Sequence, residues 1–245
     1  MNKMDTPRNP GKHKYLFVLS PPFSGSTLLW RILSTAKEVS ALPQEGQFLP
    51  SVRNIMREGH WDEDKKMPWE YIKEQWRKEW DLGKSVFLEK SPPNIMRALE
   101  IEKYFRPSYF ISINRNPYAF CEGYSRRRNK SCEIAIRWWV RFSEYQIRNI
   151  TALKRNLFFK YEELMDNKEN IAKKLNAFMP ELNDIDINGT YKTRTARNDN
   201  IVNNPILPDL NAEKIKRLRK KDIEVINKVL KENVKTLKFF NYELL

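Results

Sequence analysis

Short apolar runs alternate with longer amphipathic stretches along most of this chain. Lys14 to Ser20 (KYLFVLS), Ser85 to Leu88 (SVFL), Ser108 to Ile113 (SYFISI) and Asn156 to Tyr161 (NLFFKY) are rich in aromatic and branched residues and too short for helices. Each predicts a buried strand. After the first run, Leu28, Leu29, Ile32, Leu33 and Ala36 recur with the period of one helix face. Similar patterns predict helices over about Asn94–Phe105, Ser131–Leu153, Asn167–Phe178 and Asn211–Val234. Pro21-Pro22, Pro92-Pro93 and Pro117 stop the ladder after the first three strands. Apolar strands alternating with helices predict a three-layer α/β fold: a central parallel sheet of about four to five strands with helices on both faces. Between the first two strands, Trp69, Ile72, Trp76 and Trp80 form a one-sided stripe that predicts core packing. Gly189 to Pro208 is basic and shows no apolar period. Residues 1–13 are polar, with Pro7, Pro10 and Gly11, and read as a disordered arm; residues 14–245 read as a single domain.

Composition narrows the class. A chain of 245 residues suits one α/β domain and buries enough surface to fold without disulfides or metal. Two cysteines, Cys121 and Cys132, exclude a disulfide scaffold or a cysteine-rich zinc site. Two histidines, His13 and His60, lie in no metal-ligand spacing. No apolar run reaches the roughly 20 residues of a membrane helix, and MNKMDTPRNPGKHK lacks the apolar core of a signal peptide. Free thiols without an export signal suggest the cytoplasm. The net charge of +14 suggests an anionic partner, or simply a well-solvated surface.

In open α/β sheets ligands bind beyond the carboxyl ends of the strands, so the four strand ends are read together. The first is Phe23-Ser24-Gly25-Ser26-Thr27-Leu28. A glycine turn before a helix N-terminus offers backbone amides to an anion, although the same residues also suit an ordinary helix cap. No lysine follows Gly25, so this is not the ATP-binding GxxxxGK[ST] loop. The second end is Glu89-Lys90-Ser91, and the third is Arg115-Asn116-Pro117 with Arg127 downstream. On a helix, Arg115 and Arg127 can both reach one phosphate, whereas a lone arginine would more often be a surface ion pair. The fourth is Tyr161-Glu162-Glu163-Leu164, whose tyrosine suits either a purine face or the core.

With these residues in place, the chain resembles the sulfotransferases that use 3′-phosphoadenosine 5′-phosphosulfate (PAPS) and release 3′-phosphoadenosine 5′-phosphate (PAP). The matching pieces are LFVLSPPFSGSTLL, SYFISINRNPYAF, LFFKYEELMDNKENIAKKLNAFM and KFFNYEL, in an order that spans roughly Lys14 to Leu245. The resemblance implies a P-loop-like fold, transfer of a sulfuryl group to a hydroxyl or amine, and no catalytic metal. It implies that Phe23, Ser24, Gly25, Ser26, Thr27 and Leu28 bind the 5′-phosphosulfate. Arg115 and Arg127 would then bind the 3′-phosphate, Tyr161 the adenine, and Lys192 and Arg194 would close over the nucleotide. The family usually carries Lys or Arg where this chain has Phe23, which shifts that burden to Lys90. It usually carries Ser where this chain has Gly123, beside the 3′-phosphate. One branch uses a histidine base where this chain has Pro92. The branch that sulfates peptide tyrosines uses a glutamate about twenty residues past the phosphosulfate loop, and Glu45 is the matching carboxylate here. The base position is thus most like that branch, with Glu45 as general base and Lys90 steadying the leaving oxygen. The acceptor would be a small molecule, glycan or peptide, walled by Gln47–Leu82 and Gly189–Pro208. Alternatives are a small-molecule kinase, which the missing loop lysine disfavours, a PAPS-binding protein without turnover, and a basic nucleic-acid-binding protein, for which no motif is present.

Overall fold

The computed structural model describes residues 13–194, 201–205 and 211–245, of which 192–194 and 201–205 are described as backbone only. Five strands form one parallel sheet: β1 (Lys14–Leu19), β2 (Val39–Ala41), β3 (Val86–Glu89), β4 (Ser108–Asn114) and β5 (Asn156–Lys160), in the order β2-β3-β1-β4-β5. β1 pairs with both β3 and β4, with Lys14 opposite Val86 and Tyr15 opposite Ser108. From β1 the chain runs to β2 at the sheet edge, returns to β3 beside β1, and then crosses to β4 on the other side of β1. The strand order therefore reverses at β1, where such sheets open a ligand crevice.

Alternation along β1 explains the layers, because successive side chains leave a strand on opposite faces. Leu16 and Val18 enter a core with α1 (Ser26–Leu33) and with α7 (Tyr161–Asp166) and α8 (Lys168–Phe178). Tyr15, Phe17 and Leu19 enter a second core with Trp69, Ile72, Trp76 and Trp80, in or just beyond α3 (Trp69–Arg77), and with Ile101 of α4 (Asn94–Tyr104). All four members of the tryptophan stripe are buried, as its spacing predicts. The short α2 (Arg53–Arg57) belongs to the same insertion. A third core joins α5 (Pro117–Arg128), α6 (Cys132–Ala152), α10 (Lys220–Glu232) and α11 (Val234–Phe239), with α9 (Asn211–Ile215) packed beside α5. Both cysteines are free and buried. No helix among the described residues is long and apolar enough to cross a membrane.

Three elements differ from the pattern-based expectation. The continuous helix expected over about Asn211–Val234 is two helices, α9 and α10, with Arg219 as the N-cap of the second, and α11 follows from Val234. The stretch expected to be irregular holds an antiparallel pair, β6 (Thr190–Arg194) and β7 (Ile201–Pro205), with Thr190 opposite Pro205. Its polar, partly β-branched sequence carries no apolar period to read. Lys192 and Arg194 thus lie on a strand, and their side chains are outside the described residues. Of the proposed N-terminal arm, residues 1–12 also lie outside the described residues. His13 is buried, stacked on Phe87 at 4.4 Å.

Candidate active site

The loop after β1 is shaped by backbone geometry. Phe23 and Gly25 both have positive φ, 64° and 87°, and Gly25 is the N-cap of α1. A Cβ at Gly25 would lie 2.4 Å from the Tyr161 ring, so the position requires glycine twice over, for conformation and for space. The Ser24 hydroxyl is fully buried and has no hydrogen-bond partner among the described residues. A buried donor of this kind is costly unless something accepts from it. It fits an anion held by the loop and the helix N-terminus. Ser26 is buried, Thr27 is exposed and Leu28 packs against the first core.

Lys90, at the end of β3, is the link between this loop and the carboxylate on the other side. Its ammonium lies 3.3 Å from the Thr27 hydroxyl and 2.5 Å from Glu45 Oε1. Lys90 is buried, while the Glu45 side chain is partly open. The Gln47 amide donates to Glu45 Oε2 at 2.5 Å, and Arg57 Nη1 donates to Gln47 Oε1 at 3.2 Å. The segment carrying Glu45 is pinned from below. The Gly46 backbone N–H donates to Glu89 Oε1 at 3.0 Å, and the Gln47 backbone N–H donates to Ser91 Oγ at 3.1 Å.

Glu89 is fully buried, and that desolvation pushes its carboxyl up to about 7, against the pull of the Ser91 and Gly46 hydrogen bonds. Its raised value means that the folded state holds its proton where the unfolded state has lost it. Stability from this group is therefore fully present below about pH 4.5 and falls as pH rises toward 7 and above. Over that window the loss is about 3 kcal/mol. We expect the wild type's resistance to chemical denaturation to fall between pH 5 and 8, with a distinctly shallower decline for Glu89→Gln. Parallel pH profiles would contradict this assignment.

The third strand end holds a cationic cluster. Arg115 is buried; its Nε donates to Asn211 Oδ1 at 2.8 Å, its Nη1 to the Phe23 carbonyl at 3.3 Å, and its guanidinium lies over the Tyr161 ring at 3.9 Å. Its Nη2 has no hydrogen-bond partner among the described residues. Arg127 and Arg128 approach the Phe23 ring at 5.5 and 5.8 Å. Where the resemblance leads one to expect a cation at residue 23, two guanidinium groups thus surround an aromatic ring.

Lys214 carries no motif that singles it out in the sequence, yet it completes this cluster. It is 5% exposed, and burial, followed by Arg115, holds its ammonium well below its ordinary value, with Arg127 and Arg126 adding to the effect. Glu122, which opposes that shift, is already bonded by Arg126 and Arg217. A Cβ at Gly123 would lie 3.1 Å from the Lys214 ammonium. The missing serine hydroxyl at Gly123 therefore leaves room for a lysine that arrives from α9.

Glu162 braces the arrangement. Its carboxylate accepts from the Asn116 amide at 2.9 Å, from Asn211 Nδ2 at 2.5 Å and from the Tyr242 hydroxyl at 2.9 Å. Asn211 in turn holds Arg115. Tyr161 itself is 5% exposed and packs between Arg115 and Gly25. Among the described residues there is no group of three or more side chains suited to a metal ion.

The site thus joins a β1–α1 loop with an unpartnered buried hydroxyl, no lysine after Gly25, and a cluster of basic residues at Lys90, Arg115 and Lys214. The chain belongs to the sulfotransferase family: the model for that family matches residues 16–181, more than half of the chain. None of the curated protein sequences matches it. Among solved structures, the sulfotransferase domain of the Synechococcus PCC 7002 olefin synthase aligns over 100% of both chains, with 18% identity and a TM-score of 0.61. The sulfotransferase domain of the curacin biosynthetic pathway aligns over 95% of this chain and 99% of its own, with 18% identity and a TM-score of 0.58. A mouse sulfotransferase complexed with PAP covers 91% of this chain and 85% of its own, with 16% identity and a TM-score of 0.54. At these identities the structures establish the shared fold. The peptide-tyrosine branch is not singled out by them.

Proposed function

We propose that residues 14–245 form one PAPS-dependent sulfotransferase domain that sulfates an acceptor hydroxyl, with Glu45 as general base. The observation that carries this is Lys90, whose ammonium touches both Thr27 at the donor loop and the Glu45 carboxylate. Without donor, Lys90 and Glu45 neutralise each other. With donor bound, Lys90 turns to the oxygen between phosphorus and sulfur, which frees Glu45. The acceptor oxygen then attacks sulfur in line, its proton passes to Glu45, and the sulfur–oxygen bond to the phosphate breaks. The electron pair leaves on the phosphate oxygen of PAP, where Lys90 and the loop amides stabilise the new charge.

The donor's two anionic ends fit two groups of residues. The loop Phe23–Leu28, with its unpaired Ser24 hydroxyl, suits the 5′ end. Arg115, Arg127 and Lys214 suit the 3′-phosphate, since a negative group there relieves the mutual repulsion of these clustered cations. Tyr161 acts mainly by holding Arg115 in place, with the adenine beside it. Lys192 and Arg194 remain candidates for the closing contact over the nucleotide. PAP at about 100 times its Kd should stabilise the protein by about 2.7 kcal/mol, a rise in Tm of roughly 5–10 °C. No rise at millimolar PAP would remove PAPS as the donor.

A further inference from the structure

Next to Glu45, the helical insertion and α5 bring together positively charged side chains without ion-pair partners among the described residues. Arg57 ends α2 and reaches the base through a single amide, donating to Gln47 Oε1 while Gln47 donates to Glu45. Its guanidinium rests over the exposed Phe48 ring at 5.0 Å. Its backbone carbonyl meets His60 Nδ1 at 2.9 Å. Arg128 faces the same place from α5. It lies over Phe23 and, together with Arg57 and Arg97, biases the His60 imidazole. Burial first, and then these three guanidinium groups, hold His60 below its usual range, against the pull of its hydrogen bond with the Arg57 carbonyl. Arg97 is committed to the His60 and Asp62 carbonyls. Among the described residues, neither Arg57 nor Arg128 is ion-paired.

We propose that the acceptor is an anionic hydroxyl compound whose carboxylate, phosphate or sulfate group is held by Arg57, with Arg128 supplying further positive charge across the mouth. This rests on Glu45 being the base. Arg57 is half-buried and fixed by Gln47 on one side and Phe48 on the other, so its guanidinium is preorganised for a bidentate anion. The same Gln47 amide that bonds Arg57 bonds Glu45, which sets the spacing between the acceptor's charge and the hydroxyl that loses its proton. A neutral acceptor would leave the two cations uncompensated at the rim. An acceptor with a cationic group near its hydroxyl would be repelled.

The test uses PAP-loaded protein and matched probes: 4-hydroxyphenylacetate against 4-hydroxyphenylacetamide, glycerol 3-phosphate against glycerol, and 2-hydroxyethyl sulfate against 2-methoxyethanol. Binding is read by calorimetry or saturation-transfer NMR, so turnover is not required. At least one anion should bind about tenfold more tightly than its neutral twin, and the arm that does so names the acceptor's anion. Arg57→Gln should erase that preference, Arg57→Lys should keep part of it, and PAP affinity should be unchanged in both. The proposal is overturned if every anion binds no better than its twin, if no probe binds, or if the preference survives Arg57→Gln. If PAP itself fails to bind, the donor assignment fails first and the acceptor assignment falls with it.

Discussion

Replacing Glu45 with glutamine is expected to lower kcat by roughly 100- to 10,000-fold, the usual contribution of a positioned general base, while leaving PAP affinity within about threefold of wild type. The two effects separate because Glu45 meets the donor side only through Lys90. Glutamine keeps the size of the side chain and an oxygen that accepts from that ammonium, so the loop that carries residue 45 stays pinned by Glu89 and Ser91. What is lost is an acceptor for the proton of the incoming hydroxyl. Sulfate transfer measured by PAP release, beside PAP binding measured by calorimetry, checks both halves. Turnover at the wild-type rate would remove Glu45 from the chemistry.

Arg115→Ala should act in the opposite way, on binding first. Arg115 is buried, oriented by Asn211, the Phe23 carbonyl and the Tyr161 ring, and keeps Nη2 without a partner. Charge-assisted hydrogen bonds of this type contribute about 1.5–3 kcal/mol, so PAP should bind roughly 10- to 150-fold more weakly. The control is AMP, which lacks the 3′-phosphate. Wild type should prefer PAP over AMP strongly, and the variant should lose most of that preference. An equal loss for both nucleotides would mean that the substitution disturbs the loop and not the 3′-phosphate contact.

How much of this was readable from the chain follows from the range of the interactions involved. β1, β3, β4 and β5 are visible because strands covered on both faces are nearly continuous apolar runs. β2 is not, since Val39–Ala41 is too short to show a period. The loop before α1 and the strand-end residues Lys90 and Arg115 are local and legible by type. Glu45 stands out only through resemblance, because its partner Lys90 is 45 positions away. Lys214 and Asn211 are illegible for the same reason. Asn211 meets Arg115 across 96 positions, and nothing around a lysine in a short amphipathic helix announces that it turns inward. The excess of positive charge pointed to an anion without saying where. Much of it stays on the surface, and a handful of residues concentrate it at Arg115, Arg127 and Lys214.

The triple contact at Glu162 also bears on the order in which the protein comes into being. A ribosome releases the N-terminal part first, and domains begin to fold as they emerge. The β1–α1 loop, Lys90, Arg115 and Tyr161 all precede Glu162 in the chain, yet Asn211 and Tyr242 must be synthesised before its carboxylate gains all three partners. The sheet can therefore assemble early on the nascent chain, while the cluster around Arg115 gains its brace late in translation. An incomplete chain would carry the recognisable motifs and still be unable to hold Arg115 at its proper angle.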